Sequence, residues 1–267
     1  MTVNYINPIA FHLFSKPIYW YGIIIATTVL IAYLMAEKEA TKRGLPDEIM
    51  LDLLLRMLPV AFIFARLYYV VFRWDNYSKN PGEIIAIWDG GIAIYGGLIG
   101  GFLVLYFFAK KRNIKIIKLL DIIAPSLLIG QALGRWGNFF NHEAFGGIVT
   151  RKYLQDRLIP NFIIENMYID GAYRQPTFLY ESLWCVVALI ILLVVRNKLS
   201  QSEVFVGYLI LYGTERFIVE GMRTDSLYLG VFRISQVLSL VFVIGSLIYL
   251  ILLNTKYKDK KILYINS

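Results

Sequence analysis

The sequence predicts an all-α polytopic membrane protein: seven transmembrane helices, the N-terminus outside and the C-terminus cytoplasmic. Three observations predict it. The 267-residue chain is 58% hydrophobic and 17% charged, against roughly 45–50% and about 25% in soluble domains. Its apolar residues fall into seven runs of about 18–24 residues, the length that a hydrocarbon core of ~30 Å requires. Lys and Arg gather between alternate runs, as they do in loops that stay cytoplasmic.

The runs are Pro17–Ala36, Ile49–Phe72, Gly91–Ala109, Ile116–Leu133, Thr177–Val195, Val204–Glu220 and Val231–Leu253. The first is long enough to span and lacks a preceding basic n-region, so it is expected to stay uncleaved. The second carries Asp52, Arg56 and Arg66, and the sixth Glu215, Arg216 and Glu220, which makes these two the weakest by hydropathy. The third contains Gly96-Gly97-Leu98-Ile99-Gly100-Gly101, small residues four apart that let helices pack closely. Gly100 and Gly101 read as a packing face; Gly96 and Gly97, nearer the outer surface, read equally as headgroup contacts. The fifth holds Cys185, the only cysteine, which excludes an internal disulfide and reads as a structural thiol.

Orientation follows from charge. With the N-terminus outside, inside loops hold 14 Lys and Arg, including Lys258 and Lys260, and outside segments hold 10. The net charge of +8 expresses this bias and calls for no nucleic acid. The chain reads as one integral membrane domain, residues 1–267, with an external loop segment at about 134–176. A loop that long in a compact protein is usually functional.

This topology carries the unusual polar residues to one membrane face. Tyr21 sits inside the outer end of the first span, Arg66 in the outer half of the second, and Tyr95 one turn into the third. Arg135, Asn138, Asn141 and Glu143 follow the fourth, Tyr180 and Glu181 open the fifth, and Arg216, Glu220 and Arg223 close the sixth. Tyr212, Arg216 and Glu220 are spaced by four and Arg223 follows three later, so they line one helical stripe. Charged side chains within a membrane face protein or water and by default mark function. A buried Arg216–Glu220 pair could merely fix packing, but such a pair has no need of Arg135 and Arg66 at the same depth. Several guanidinium forks around one site suit a phosphate, and Arg66, Arg135, Arg216 and Arg223 against Glu143, Glu181 and Glu220 leave a small positive excess. Asp52, Arg56 and Asp121 lie in inner halves and read as structural, Asp52 pairing with Arg56. His12 and His142 are the only histidines and are not spaced for shared ligation, so no metal or other cofactor is expected. Walker, HExxH and GxSxG patterns are absent from the sequence.

The run Gly134-Arg135-Trp136-Gly137-Asn138-Phe139-Phe140-Asn141-His142-Glu143-Ala144-Phe145-Gly146 resembles the signature of the bacterial phosphatidylglycerol–prolipoprotein diacylglyceryl transferase family. The likeness extends through Trp20-Tyr21-Gly22, Trp88-Asp89-Gly90-Gly91, Gly96 to Gly100, Gln175 to Glu181, and Tyr212-Gly213 to Arg223. It implies a seven-span enzyme of the bacterial cytoplasmic membrane with its active site towards the outer face. Such an enzyme moves the diacylglyceryl group of phosphatidylglycerol onto the lipobox cysteine thiol of a preprolipoprotein signal peptide and releases glycerol phosphate. Tyr21, Arg135, Asn138, Glu143, Tyr212, Arg216 and Glu220 match positions that the family uses. Tyr95 and Gln175 stand where other members carry His, and His142 where others can have Gly.

On this reading Arg135 and Arg216 hold the phosphate and Asn138 positions an oxygen. Glu143 and Glu220 orient the arginines or take the thiol proton, and Tyr95 bonds the headgroup. The identity of the base stays open among Glu143, Glu220, Tyr95 and His142. Arg66, Gly96, Gly97, Asn141, Glu181, Tyr212 and Arg223 complete the expected substrate contacts. Two other readings fit the composition: a lipid flippase, which should be lined by polar groups on both sides of the midplane, and a headgroup enzyme with water or an alcohol as acceptor.

Overall fold

The computed structural model describes residues 5–257 and 261–266; residues 1–4 and the orientation-setting Lys258 and Lys260 lie outside the described residues. Seven helices of eighteen residues or more organise them: α1 (Trp20–Lys42), α2 (Ile49–Phe72), α4 (Ile94–Lys111), α5 (Ile116–Phe140), α8 (Thr177–Val195), α9 (Glu203–Glu220) and α10 (Ile234–Thr255). Three short helices intervene: α3 (Trp74–Tyr77), α6 (Arg151–Gln155) and α7 (Asn161–Asn166). By length and composition α1, α4, α5, α8 and α10 could each cross a membrane. The charged α2 and α9 are not among those five.

The chain divides into two compact units, residues 36–120 and the remainder. In the first unit, the Glu37 carboxylate starts α2 by accepting from the backbone N–H of Glu48 at 2.7 Å and of Met50 at 3.0 Å. It does for α2 what an N-cap side chain does elsewhere. α2 and α4 then pack antiparallel: Gly96 stands against Ala65 and Tyr68, Gly100 against Val60 and Phe64, and Gly101 against Met57. A Cβ at Gly96 would collide with the α2 backbone, so close helix contact accounts for this glycine. At the other end of the pair, Asp52 accepts from Arg56 Nε at 2.7 Å and from Arg112 Nη2 at 2.5 Å. The expected Asp52–Arg56 pair thus gains a third member from α4.

The second unit holds the first half of α1 together with α5, α8, α9 and α10. Its main core is a seam of small and branched residues: Ala124, Leu128 and Ala132 of α5, Cys185, Ala188 and Leu192 of α8, and Val204 and Tyr208 of α9. Cys185 is buried there as a free thiol. Asp121, fully buried, accepts from the backbone N–H of Ser202 at 2.7 Å and of Phe205 at 3.0 Å. It satisfies donors that open α9, whose own N-cap residue Ser202 makes no side-chain capping bond.

Several expected boundaries move; α1 runs on past Ala36 to Lys42 and α4 starts at Ile94 rather than Gly91. Residues 16–19 are not helical: Lys16–Tyr19 forms strand β2, paired with β1 (Ile9–Leu13) in an antiparallel hairpin. The last run starts its helix at Ile234 because Phe232–Arg233 pairs as strand β7 with β6 (Tyr228–Leu229). The largest change is in α5, which passes Leu133 and continues as helix to Phe140. Gly134 and Gly137 cost such a helix about 1 kcal/mol each. Burial of Phe139 against Phe178, with Trp136 and Phe140 packed beside them, returns about 1.5–3 kcal/mol for a fully buried aromatic.

The rest of the expected external loop is folded. Strands β3 (Ile148–Val149), β4 (Tyr168–Ile169) and β5 (Ala172–Arg174) make a sheet in the order β3-β5-β4. Leu154, Ile159, Ile163, Ile164 and Met167, from α6, α7 and their connections, form a second core with Phe139 and Phe178. Ile6 and Tyr5 bond to Asn166 and Tyr168, tying the start of the described chain to this segment.

Candidate active site

One buried carboxylate gathers three guanidinium groups. Glu181, in the second turn of α8, is 1% exposed. Its Oε2 lies 2.5 Å from Arg135 Nη2 on α5 and 3.6 Å from Arg216 Nη1 on α9. Its Oε1 lies 3.7 Å from Nη1 of Arg223, three residues past α9. Arg216 Nη2 meets Glu220 Oε2 at 2.5 Å one turn on, the pairing that the spacing of four predicts. Arg223 forks onto Asp225, with Nε at 2.9 Å and Nη2 at 2.7 Å from the two oxygens.

These groups are close in distance yet poorly aligned for hydrogen bonding. Both Glu181 oxygens, Glu220 Oε2 and Arg216 Nη1 are buried without a hydrogen-bond partner. Buried polar atoms are nearly always bonded, and a cluster of exceptions needs a cause. A polar ligand entering among the three arginines would supply the missing partners. The expected positive excess does not hold for this cluster: Glu181, Glu220 and Asp225 already match the three arginines in number, and Glu215 adds a fourth acid.

The signature loop closes one side. Asn138 Nδ2 donates to Glu143 Oε1 at 3.0 Å, and the Glu143 N–H donates to Asn138 O at 3.0 Å. Asn141 is half-buried in the turn that follows, its N–H bonded to Gly137 O. His142 and Ala144 take left-handed backbone, φ 53° and 57°, which costs an L-residue roughly 1–2 kcal/mol. The contacts that hold it come from two directions. Thr177 Oγ1 donates to Ala144 O at 2.5 Å, and Gly146 bridges to Arg223 while Thr224 bonds Phe145 O. The loop and the Arg223 turn therefore fix each other.

Tyr21 lies over Gly137, where any Cβ would stand 2.7 Å from its ring, within electrostatic reach of Glu143 and Arg135. Tyr212 stacks parallel on Tyr208 at 5.7 Å and interacts with Arg135 and Arg216. Half-burial raises the Asp225 carboxyl, but the hydrogen bond and charge of Arg223, with a backbone hydrogen bond and the Arg216 charge, together lower it further, so Asp225 titrates below the usual carboxylate range.

A family model described as prolipoprotein diacylglyceryl transferase matches residues 8–252. The chain belongs to that family. Among its diacylglyceryl transferase relatives, the phosphatidylglycerol–prolipoprotein diacylglyceryl transferase of Lysinibacillus sphaericus is 51% identical over 251 residues, which cover 91% of this chain and 92% of that protein. Those of Listeria monocytogenes serotype 4b and Limosilactobacillus reuteri are 53% and 52% identical, each alignment covering 92% of this chain and 91% of the relative. A multi-pass membrane protein, as the composition predicts, is what this diacylglyceryl transferase family membership entails.

The other expected site residues belong to the unit of residues 36–120. Arg66 is buried, and four of its five N–H donors are taken by backbone carbonyls: Nε by Ile84, Nη1 by Gly90 and Gly91, and Nη2 by Glu83. Its expected role as a headgroup ligand is therefore replaced by one of holding residues 83–91. Tyr95 is half-buried beside Tyr68, their ring centroids 6.4 Å apart. Gly96 is buried against α2 and Gly97 is half-buried beside Ala61 and Ala65.

Sequence reasoning overlooked Glu215. It is 2% exposed, both its oxygens lack hydrogen-bond partners, and it interacts with Glu181, Arg135, Arg216 and Arg223. A membrane-embedded acid beside Arg216 was the available signal; it sits one residue off the stripe counted in fours. Asp225 was overlooked because it lies beyond the helix.

Proposed function

We propose that this diacylglyceryl transferase family member works at the cluster centred on Glu181, taking phosphatidylglycerol as donor and the lipobox cysteine of a preprolipoprotein signal peptide as acceptor. The convergence of Arg135, Arg216 and Arg223 on one underbonded carboxylate carries this reading. A phosphodiester offers two non-bridging oxygens, which a planar guanidinium fork binds together.

The reaction forms a bond between the cysteine sulfur and a glycerol carbon and breaks that carbon's bond to the phosphate oxygen. The electron pair leaves with glycerol phosphate. The thiolate is the nucleophile, so its proton must first reach a base. Arg135 and Arg216 stabilise the charge that grows on the leaving phosphate, in a setting where fixed donors are usually the largest catalytic contribution. Because each arginine of the cluster already faces a carboxylate, its arginines are released to the phosphate when a carboxylate is protonated or moves aside. A thiol proton passed to Glu220 would free Arg216 in the same step. Glu143, bonded to neutral Asn138 rather than to an arginine, is the competing acceptor; Tyr95 and His142 complete the set. Tyr21, Tyr212, Asn138 and Asn141 position the headgroup. Arg66 orders residues 83–91, and Gly96 and Gly97 pack α4 on α2.

The fold is read as seven spans with the cluster towards the outer face and the C-terminus cytoplasmic. α9 buries Glu215 and Glu220 against protein and α2 buries Arg66, while Asp52 and Arg56 pair near the start of α2, which is how such helices persist in a bilayer. The test is purified protein with phosphatidylglycerol and a lipobox peptide, followed by mass for the thioether. R135A and R216A each abolish transfer while the protein still accumulates in the membrane. Transfer by both variants would overturn the assignment. A cytoplasmic location for tags in the 141–176 segment would overturn the orientation.

A further inference from the structure

The α2–α4 pair carries a second feature, at the end where Asp52 lies. A groove of about 650 Å³ runs between the two helices, within the range of roughly 300–1,000 Å³ typical of ligand sites. Val60, Phe64 and Phe107 line its length, and Arg56, Lys111 and Arg112 ring one end. From Arg56 to Phe64 the floor is about 12 Å long at 1.5 Å per residue. The polarity is therefore one-sided: cations at one end, hydrocarbon along the rest.

Cations at helix ends often only reach for the membrane interface. Here two of the three are held. Asp52 takes Nε of Arg56 at 2.7 Å and Nη2 of Arg112 at 2.5 Å, and the Arg112 guanidinium lies 5.7 Å over the Phe108 ring. Both stay partly exposed, at 54% and 47%, and among the described residues the remaining guanidinium nitrogens of each have no hydrogen-bond partner. Three cations against one carboxylate leave an excess of two positive charges at the mouth.

We infer that this groove binds one anionic phospholipid, its phosphate at Arg56, Lys111 and Arg112 and an acyl chain along Val60, Phe64 and Phe107. The chemistry matches end for end: a headgroup of one negative charge meets the excess, and a single chain fits an apolar channel that opens from it. The site lies in the leaflet on the side where α2 begins and α4 ends. Only in calling that leaflet cytoplasmic does the inference rest on the topology proposed above.

The test uses full-length protein in phosphatidylcholine nanodiscs with a trace of phosphatidylglycerol bearing a diazirine in its acyl chain. After illumination, labelled peptides are read by mass. Peptides containing Val60–Phe64 and Leu103–Phe107 are expected to label in excess over the same tail on phosphatidylcholine. At about fivefold per cation removed, K111A lowers that excess about fivefold and the R56Q/R112Q double variant by on the order of twentyfold. D52N keeps or raises the excess, because it removes the competing carboxylate and leaves the cations. Equal labelling by the two lipids, an excess that survives K111A and the double variant, or an excess lost in D52N would each overturn the inference. Labelling of peptides carrying Arg135 and Arg216 in the same samples scores the proposed active site separately, and its persistence in the variants shows that they are folded.

Discussion

The protein builds a carboxylate between arginines twice, and the two versions differ in burial. Asp52 joins Arg56 and Arg112 with side chains that are 27%, 54% and 47% exposed. Glu181 joins Arg135, Arg216 and Arg223 while 1% exposed, its partners 12–20%. The exposed version has the better hydrogen bonds, at 2.5 and 2.7 Å with both oxygens used, yet solvent and ions screen it. The buried version has worse alignment and far higher stakes, because breaking one member strands charge in a place where nothing replaces it. Carboxylates set among arginines thus give a hydrogen-bonded fastening in one place and a buried, underbonded cluster in the other.

The sharpest way to break this contrast is E181Q. It leaves three buried guanidinium groups short of their shared counter-charge, a change that typically costs roughly 3–5 kcal/mol. Transfer is expected to fall by more than about a hundredfold, with less protein accumulating in the membrane. D52N is expected to cost about 0–1 kcal/mol and to leave transfer within about twofold. Similar losses in the two variants, measured by peptide transfer and thermal midpoint, would erase the distinction.

Next in size is G137A. The added Cβ meets the Tyr21 ring at 2.7 Å, and such overpacking costs roughly 1–3 kcal/mol. Transfer should drop about tenfold as Tyr21 shifts, and Y21A in the same background should restore the thermal midpoint without restoring transfer. A smaller loss is expected for D121A, which removes the acceptor for two N–H groups that open α9. The thermal midpoint falls by an amount matching about 1–3 kcal/mol, while KM for the peptide stays constant.

The smallest effect belongs to Asp225. Its carboxyl is held below the usual range in the folded protein. Its contribution is therefore complete above the unfolded value of about 3.9 and fades only as pH falls through the lower folded value. Between pH 6 and 8, D225N should shift transfer by a constant factor with no change in the shape of the pH profile. A new inflection in that window would show that Asp225 titrates there.

Much of this was legible in the sequence, because hydropathy over long windows is a strong signal. The runs Ile49–Phe72 and Thr177–Val195 match helices residue for residue. The stripe Tyr212–Arg216–Glu220 follows from helical geometry alone. What stayed hidden depends on contacts between distant residues. The extension of α5 to Phe140 rests on aromatic packing with Phe178, which outweighs the local preference of its glycines. Arg66 looked like a headgroup ligand because sequence shows that a cation is buried and not what it touches; four backbone carbonyls take it up. Glu215 was passed over because a rule counted in fours does not see a neighbour on the same inner face.

The division of the arginines among helices has a consequence for biogenesis. Chains emerge from the ribosome N-terminus first, so Arg135 and Glu181 meet as a neutral pair before Arg216 and Arg223 exist. Only the last fifth of the polypeptide delivers the second and third guanidinium groups and, through the Gly146–Arg223 bridge, locks the strained His142–Ala144 turn. A half-made chain therefore lacks the Glu181 cluster altogether, and the cluster is completed only once synthesis is nearly finished.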